Sequence, residues 1–152
     1  MAGIEYFDHM VRHHSAGGFV FYQSLLDGLL YVALVQKATG EYLVPKGHIE
    51  RDETPAEAAI REIKEELTLA ETPHLIGKVG ISSYSFTCPG DRREHHKDVH
   101  LFAFSLPNKA ALHPQVEENF VDARWVEFGR ALDIISFERA NLIKARHRFE
   151  SG

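Results

Sequence analysis

Residues 47–67 read Gly47-His48-Ile49-Glu50-Arg51-Asp52-Glu53-Thr54-Pro55-Ala56-Glu57-Ala58-Ala59-Ile60-Arg61-Glu62-Ile63-Lys64-Glu65-Glu66-Leu67, and the reading of this stretch decides the fold. It is a loop that runs into a capped helix. Thr54 suits the N-cap, Pro55 the first helical position, and Glu57, three residues after Thr54, completes a capping box. At about 100° per residue, Ala56, Ala59, Ile60, Ile63 and Leu67 form one apolar stripe that must face a core. Glu62, Glu65 and Glu66 gather on a neighbouring stripe, expected to face solvent or a ligand. Arg61 stands one turn before Glu65, where it can hold that carboxylate. Three like charges on one turn repel unless a cation sits among them, and such hard oxygen donors suit Mg²⁺ or Mn²⁺ better than zinc. Taken alone, Glu-x-x-Glu-Glu is also the pattern of a solvated acidic face.

The residues before the helix weigh against that plainer reading. Gly47, five residues, Glu53, seven residues, then Arg61-Glu62-Ile63-Lys64-Glu65-Glu66 resembles the Nudix box. One fixed position departs: Thr68 stands where the box has its last glycine, followed by the expected aliphatic Leu69. A glycine there takes the left-handed conformation that ends a helix, and a β-branched residue does so poorly. The helix is therefore expected to end differently, for instance one residue later, with the carboxylates upstream unaffected. Ala16-Gly17-Gly18-Phe19-Val20, Arg124-Trp125-Val126 and Ile135-Ser136-Phe137-Glu138-Arg139 are also similar to segments of that family, so the resemblance spans about residues 14–148. Pro45-Lys46-Gly47-His48-Ile49-Glu50 is most similar to the segment of diadenosine polyphosphate hydrolases.

Composition sets outer limits. The chain has 152 residues, 44% of them hydrophobic, enough for one domain (1–152) with a substantial core. A net charge of −5 argues against a general nucleic-acid binder, so no DNA-binding surface is expected. The one cysteine, Cys88, leaves no internal disulfide and fits a reducing, cytoplasmic setting. No stretch approaches the length of a membrane span, and no signal peptide is visible. The oligomeric state stays open, a homodimer included.

Along the chain, strands are expected at 15–23 and 29–37, joined by a hairpin at Leu26-Asp27-Gly28, with a short extended piece at 42–44. One long strand or two short ones should cover 74–87. A polar loop follows at 89–97, either a solvated connection or a basic lip over a polyphosphate. Further strands are expected at 98–106 and 121–128, then a short helical turn from Gly129. Ser136 can cap a last helix from about Phe137 to Arg148. The pattern is that of an α/β chain, an α/β/α sandwich around a mixed sheet.

The resemblance implies cleavage of a pyrophosphate bond by water in a nucleoside diphosphate linked to another group, with Mg²⁺ or Mn²⁺. Carried over by position, Glu62, Glu65 and Glu66 ligate metal with the Gly47 carbonyl, and Arg61 orients Glu65 and Glu53. The general base is a box glutamate or a glutamate of the loop before Trp125. Six residues before Trp125 stands Asn119, so Glu118, with Glu117 beside it, is the loop candidate. Lys46 and His48 can meet phosphate oxygens, and a purine can stack on Tyr84, Phe86 or Phe104. The substrate class then includes dinucleoside polyphosphates, nucleotide sugars, nucleoside triphosphates and capped RNA ends. A non-catalytic nucleotide-binding module is the rival reading, and the intact box glutamates and Arg61 count against it.

Overall fold

The computed structural model describes residues 3–116 and 119–152. The eight-stranded mixed sheet is built around β2 (Met10–Gln23), fourteen residues long. One edge of β2 runs parallel to β7 (Glu94–Ser105), from Met10 opposite Glu94 to Phe21 opposite Ser105. Three antiparallel partners share the other edge: β1 (Ile4–Tyr6), then β5 (Lys46–His48), then β3 (Leu30–Lys37). Beyond them, β8 (Phe120–Glu127) and β4 (Tyr42–Leu43) pair with β3, and β6 (His74–Phe86) closes the far side on β7.

Strand alternation sends side chains into two separate cores. Ala16 and Val20, Ala33 and Val35, and Phe102 and Phe104 face α1 (Pro55–Leu67), meeting Ala58, Ala59, Ile63 and Leu67. Their neighbours Phe19, Phe21, Val32, Leu34, Leu101 and Ala103 face the opposite side. There α2 (Phe128–Ile134) and α3 (Arg139–Ser151) bring Ala131, Leu142 and Ala145. The result is the α/β/α sandwich, with α1 the one helix on its layer among the described residues. Fully burying Ile63 and Leu67 stabilises by about 1.5–3 kcal/mol each. That outweighs the few tenths of a kcal/mol expected from like charges one turn apart on α1.

Several boundaries differ from the sequence reading. The strand expected at 15–23 begins at Met10, and that expected at 98–106 begins at Glu94, because these two polar extensions pair with each other and that of β2 also with β1. The polar loop at 89–97 is thus shortened to the residues before Glu94. The segment 74–86 is one strand with two register irregularities. Ser136 caps nothing: Phe137 takes a left-handed φ of 71°, Glu138 occupies the N-cap, and α3 runs from Arg139 to Ser151.

Thr68 gives a further correction. It is left-handed, φ 53° and ψ 46°, and α1 ends at Leu67, where a glycine would have ended it. Its hydroxyl donates to the His113 carbonyl at 2.8 Å, and the His113 N–H donates to Leu67 O at 3.0 Å. A β-branched residue in this region costs about 1–2 kcal/mol, and a hydrogen bond of this kind returns about 1. The 107–116 loop therefore holds the exit that the residue type alone disfavours.

Candidate active site

The helix start is as the capping pattern requires. Thr54 Oγ1 accepts the Glu57 N–H at 3.2 Å, and Glu57 Oε1 accepts the Thr54 N–H at 2.8 Å. The loop before it is tied by Glu53, whose Oε1 accepts the Glu50 N–H at 2.8 Å. Arg61 then locks loop to helix. Its Nε and Nη2 donate to the two oxygens of Glu53 at 2.7 and 2.9 Å, Nη2 also to the His48 carbonyl at 2.9 Å, and Nη1 to Glu62 Oε1 at 2.7 Å. Glu65 is a looser partner at 3.5 Å, so the main partners of Arg61 are Glu53 and Glu62. This guanidinium holds the Glu53 carboxyl below the usual carboxylate range, and Glu53 in turn raises Arg61.

Gly47 is required by contact. A Cβ there would collide with the Glu62 carboxylate, so only glycine lets that group lie against β5. One residue earlier, the Lys46 N–H donates to Glu66 Oε1 at 3.3 Å. Glu66 is 4% exposed, contrary to the expectation of a solvent-facing side chain, whereas Glu65 is exposed. The reason is that β5 folds over the last turns of α1 and covers Glu62 and Glu66.

Part of this set opens onto a cleft of about 800 Å³. Of the residues singled out in the sequence, Lys46, Gly47, His48, Glu62, Glu66 and Tyr84 line it. Glu53 and Arg61 stand behind the lining, bracing Glu62. Glu118, like Glu117, lies outside the described residues. Of the other proposed stacking residues, Phe104 is fully buried core, and Phe86 packs on His13 with ring centroids 5.1 Å apart. Arg93, on the expected basic lip, is paired with Asp91 at 3.0 Å, and within 89–97 only Lys97 lines the cleft among the described residues.

Lys97, Ser15, Phe137 and Glu138 are lining residues that the sequence reading did not single out. A signal existed for two of them. Lys97 keeps the register of Val99 and Leu101, and Ser15 that of Phe19 and Phe21, so each is a polar residue on a core-facing row. Burial and the nearby Lys46 and Lys37 push the Lys97 ammonium down to about 8. Burial also lowers Lys46, against the pull of Glu138 and Glu66. Ser15 Oγ is buried without a hydrogen-bond partner among the described residues.

Whether the residues suit a divalent cation can be judged from the donors. Glu62, Glu65 and Glu66 offer hard carboxylate oxygens, and the Gly47 contact brings the Glu62 carboxylate against the backbone. Among the described residues no three acidic, histidine or cysteine side chains already surround one point, since Glu62 is turned to Arg61 and Glu66 to the Lys46 N–H. The set fits a hard divalent ion by chemistry, with side-chain rotation needed to take it up.

Comparison with known proteins places this geometry. A family model described as the NUDIX domain matches residues 12–145. Similar solved structures include the Ap4A hydrolase of C. elegans in a binary complex, 20% identical, covering 91% of this chain and 98% of that one, with TM-score 0.62. A NUDIX hydrolase from Listeria monocytogenes is 16% identical, covering 91% and 94%, with TM-score 0.69. The NUDIX domain of Shewanella oneidensis NrtR, complexed with ADP ribose, is 18% identical, covering 95% and 90%, with TM-score 0.63. At these identities the likeness is one of fold. No curated protein sequence matches the chain. No helix among the described residues is long and apolar enough to cross a membrane.

Proposed function

Because the chain belongs to the Nudix family and is a Nudix hydrolase, we propose that it cleaves a phosphoanhydride bond in a nucleoside diphosphate linked to another group, a dinucleoside polyphosphate being the leading substrate class. The observation that carries this reading is the layout of the cleft. Carboxylates Glu62 and Glu66 line it together with the cationic Lys46 and Lys97 and the aromatic Tyr84 and Phe137. A volume of about 800 Å³ is large within the range of small-molecule sites, with room for more than a mononucleotide.

Nudix hydrolases work with divalent metal ions. Here Glu62, Glu65 and Glu66, with Gly47, would hold Mg²⁺ or Mn²⁺, and the bound ion supplies charge neutralisation and a more acidic water. The rest is done by the chain. Lys46 and Lys97 meet phosphate oxygens that carry the developing charge, a preorganised electrostatic role. His48 sits at the exposed rim for the same use. Arg61 fixes Glu62 and Glu53 so that the helix carboxylates keep their place while substrate is bound. The base that takes the proton of the attacking water is a box glutamate or Glu118. Water oxygen bonds to phosphorus, the bridging P–O bond breaks, and the two phosphate products separate. Tyr84 offers its ring to the base.

The similarity to a domain that holds ADP ribose puts that compound in the same test. Diadenosine tetraphosphate, ADP-ribose, a nucleotide sugar, ATP and capped RNA are incubated with enzyme and Mg²⁺ or Mn²⁺, and products are separated by chromatography. Turnover of the dinucleoside polyphosphate above the others is expected. Saturable nucleotide binding with no turnover of any compound would instead establish a binding module.

A further inference from the structure

Two buried side-chain polar atoms among the described residues have no hydrogen-bond partner, His14 Nδ1 and Ser15 Oγ, and of these two residues only Ser15 lines the cleft. Ser15 is fully buried and belongs to the cleft floor. Strand pairing identifies what surrounds it, since residues opposite one another in a sheet point to the same face. On β5, His48 stands opposite Ser15 and Lys46 opposite Gly17; on β7, Lys97 stands opposite His13. Ser15, Lys46, His48 and Lys97 therefore share one face, that on which Val44, Val99 and Phe19 enter the core with α2 and α3. The hydroxyl lies between two strands that each bring a lysine. Burial, and after it the charge of Lys46, lowers the Lys97 ammonium, so the two cations are close enough to repel. A buried hydroxyl without a partner is costly, and so are two neighbouring ammonium groups. One oxyanion settled on the floor between them relieves both.

Resting on the nucleotide-hydrolase reading above, we propose that Ser15 is a further substrate-binding residue, whose hydroxyl donates to a non-bridging oxygen of the phosphate that Lys46 and Lys97 hold. A lysine ammonium has only donors, whereas a phosphate oxygen accepts from several at once. The hydroxyl donates here and does not attack: no described base touches Oγ to take its proton, so water remains the nucleophile. What Ser15 adds is direction. Ammonium groups on long stems attract an anion with little directional preference. A short side chain fixed on β2, inside the sheet, sets where the phosphate stops.

The test is calorimetric binding of α,β-methylene-ADP, a non-hydrolysable diphosphate, to the whole chain with Mg²⁺, for wild type and Ser15→Ala. Thermal unfolding of both proteins without ligand accompanies it. Affinity should fall about tenfold or more in the variant, as expected for the loss of one hydrogen bond to a charged group. The ligand-free melting temperature should hold or rise, because the substitution removes an unpaired buried hydroxyl and little else. Equal affinity of the two proteins for the analogue overturns this inference alone. A lower melting temperature, or a variant that does not fold, overturns it too, since the hydroxyl then serves the fold. Failure of the wild type to bind the analogue also overturns it, and takes the hydrolase reading with it when the substrate panel above shows no turnover.

Discussion

Replacing Arg61 by alanine should test the bracing of the box most severely. The side chain donates four hydrogen bonds of 2.7–2.9 Å, two to Glu53, one to Glu62 and one to the His48 carbonyl. Hydrogen bonds to charged groups contribute about 1.5–3 kcal/mol each, but here they share one side chain and do not add. Leaving one partner of a buried pair uncompensated costs about 3–5 kcal/mol. Arg61 is 24% exposed and Glu53 18%, so water recovers part of this, and a loss of about 2–4 kcal/mol is expected. For a chain of this size that lowers the melting temperature by roughly 5–12 °C. The assay is thermal unfolding of wild type, Arg61→Ala, Glu53→Gln and the double variant. Because Glu53 serves mainly to hold Arg61, the double variant should be little worse than Arg61→Ala. The pH dependence has a definite sign. Glu53 is lowered in the folded state, so its contribution is present above its unfolded value and is lost as pH falls through the folded one. The gap between wild type and Arg61→Ala should therefore narrow in acid. Unchanged stability in Arg61→Ala, or strictly additive losses, would refute the bracing.

Other outcomes follow from single contacts. Gly47→Ala places a Cβ in the Glu62 carboxylate, so hydrolysis should fall steeply while the melting temperature changes little; near-normal activity would contradict the contact. Thr68→Val keeps the branched shape but loses the hydroxyl bond to His113, and should cost about 1–2 kcal/mol, whereas Thr68→Gly should be near neutral in the same melting experiment. Lys97 is lowered to about 8 in the cation-free fold, below its unfolded value of 10.5. The unfolded chain then holds more protons between those values, so the penalty from Lys97 is largest below pH 8 and fades toward 10.5. Lys97→Met should thus stabilise the cation-free protein at pH 7 by at most about 3 kcal/mol, lose that advantage near pH 10, and bind substrate more weakly.

What the sequence disclosed and what it concealed divide by the range of the interactions. The α1 cap, its apolar stripe, the Arg61 position and the two long strands depend on residues near in sequence, and all were legible. The extensions of β2 and β7 were not, because Met10–His14 and Glu94–Lys97 carry little apolar alternation and are strands through pairing with each other. Thr68 misled for the opposite reason: its residue type was read correctly, but a loop 45 residues away supplies the bond that holds it. The burial of Glu66 was not legible because helical periodicity says nothing of β5, which lies across it. Phe137 and Glu138 join the cleft only through the turn that brings the start of α3 to β4, where the Ser136 N–H donates to the Tyr42 carbonyl. Lys97 and Ser15 were readable in principle as polar residues on core-facing rows.

The most direct test of the account is the rate of diadenosine tetraphosphate hydrolysis at saturating Mg²⁺ in wild type and Glu66→Gln. The substitution keeps the shape and the acceptor for the Lys46 N–H while removing the charge that would hold the cation. Loss of several kcal/mol of transition-state stabilisation corresponds to a fall of about a thousandfold or more, with the melting temperature of the metal-free protein retained. A variant that turns over at the wild-type rate, or whose loss of rate only follows a loss of fold, would contradict the assignment of this helix as the catalytic metal site.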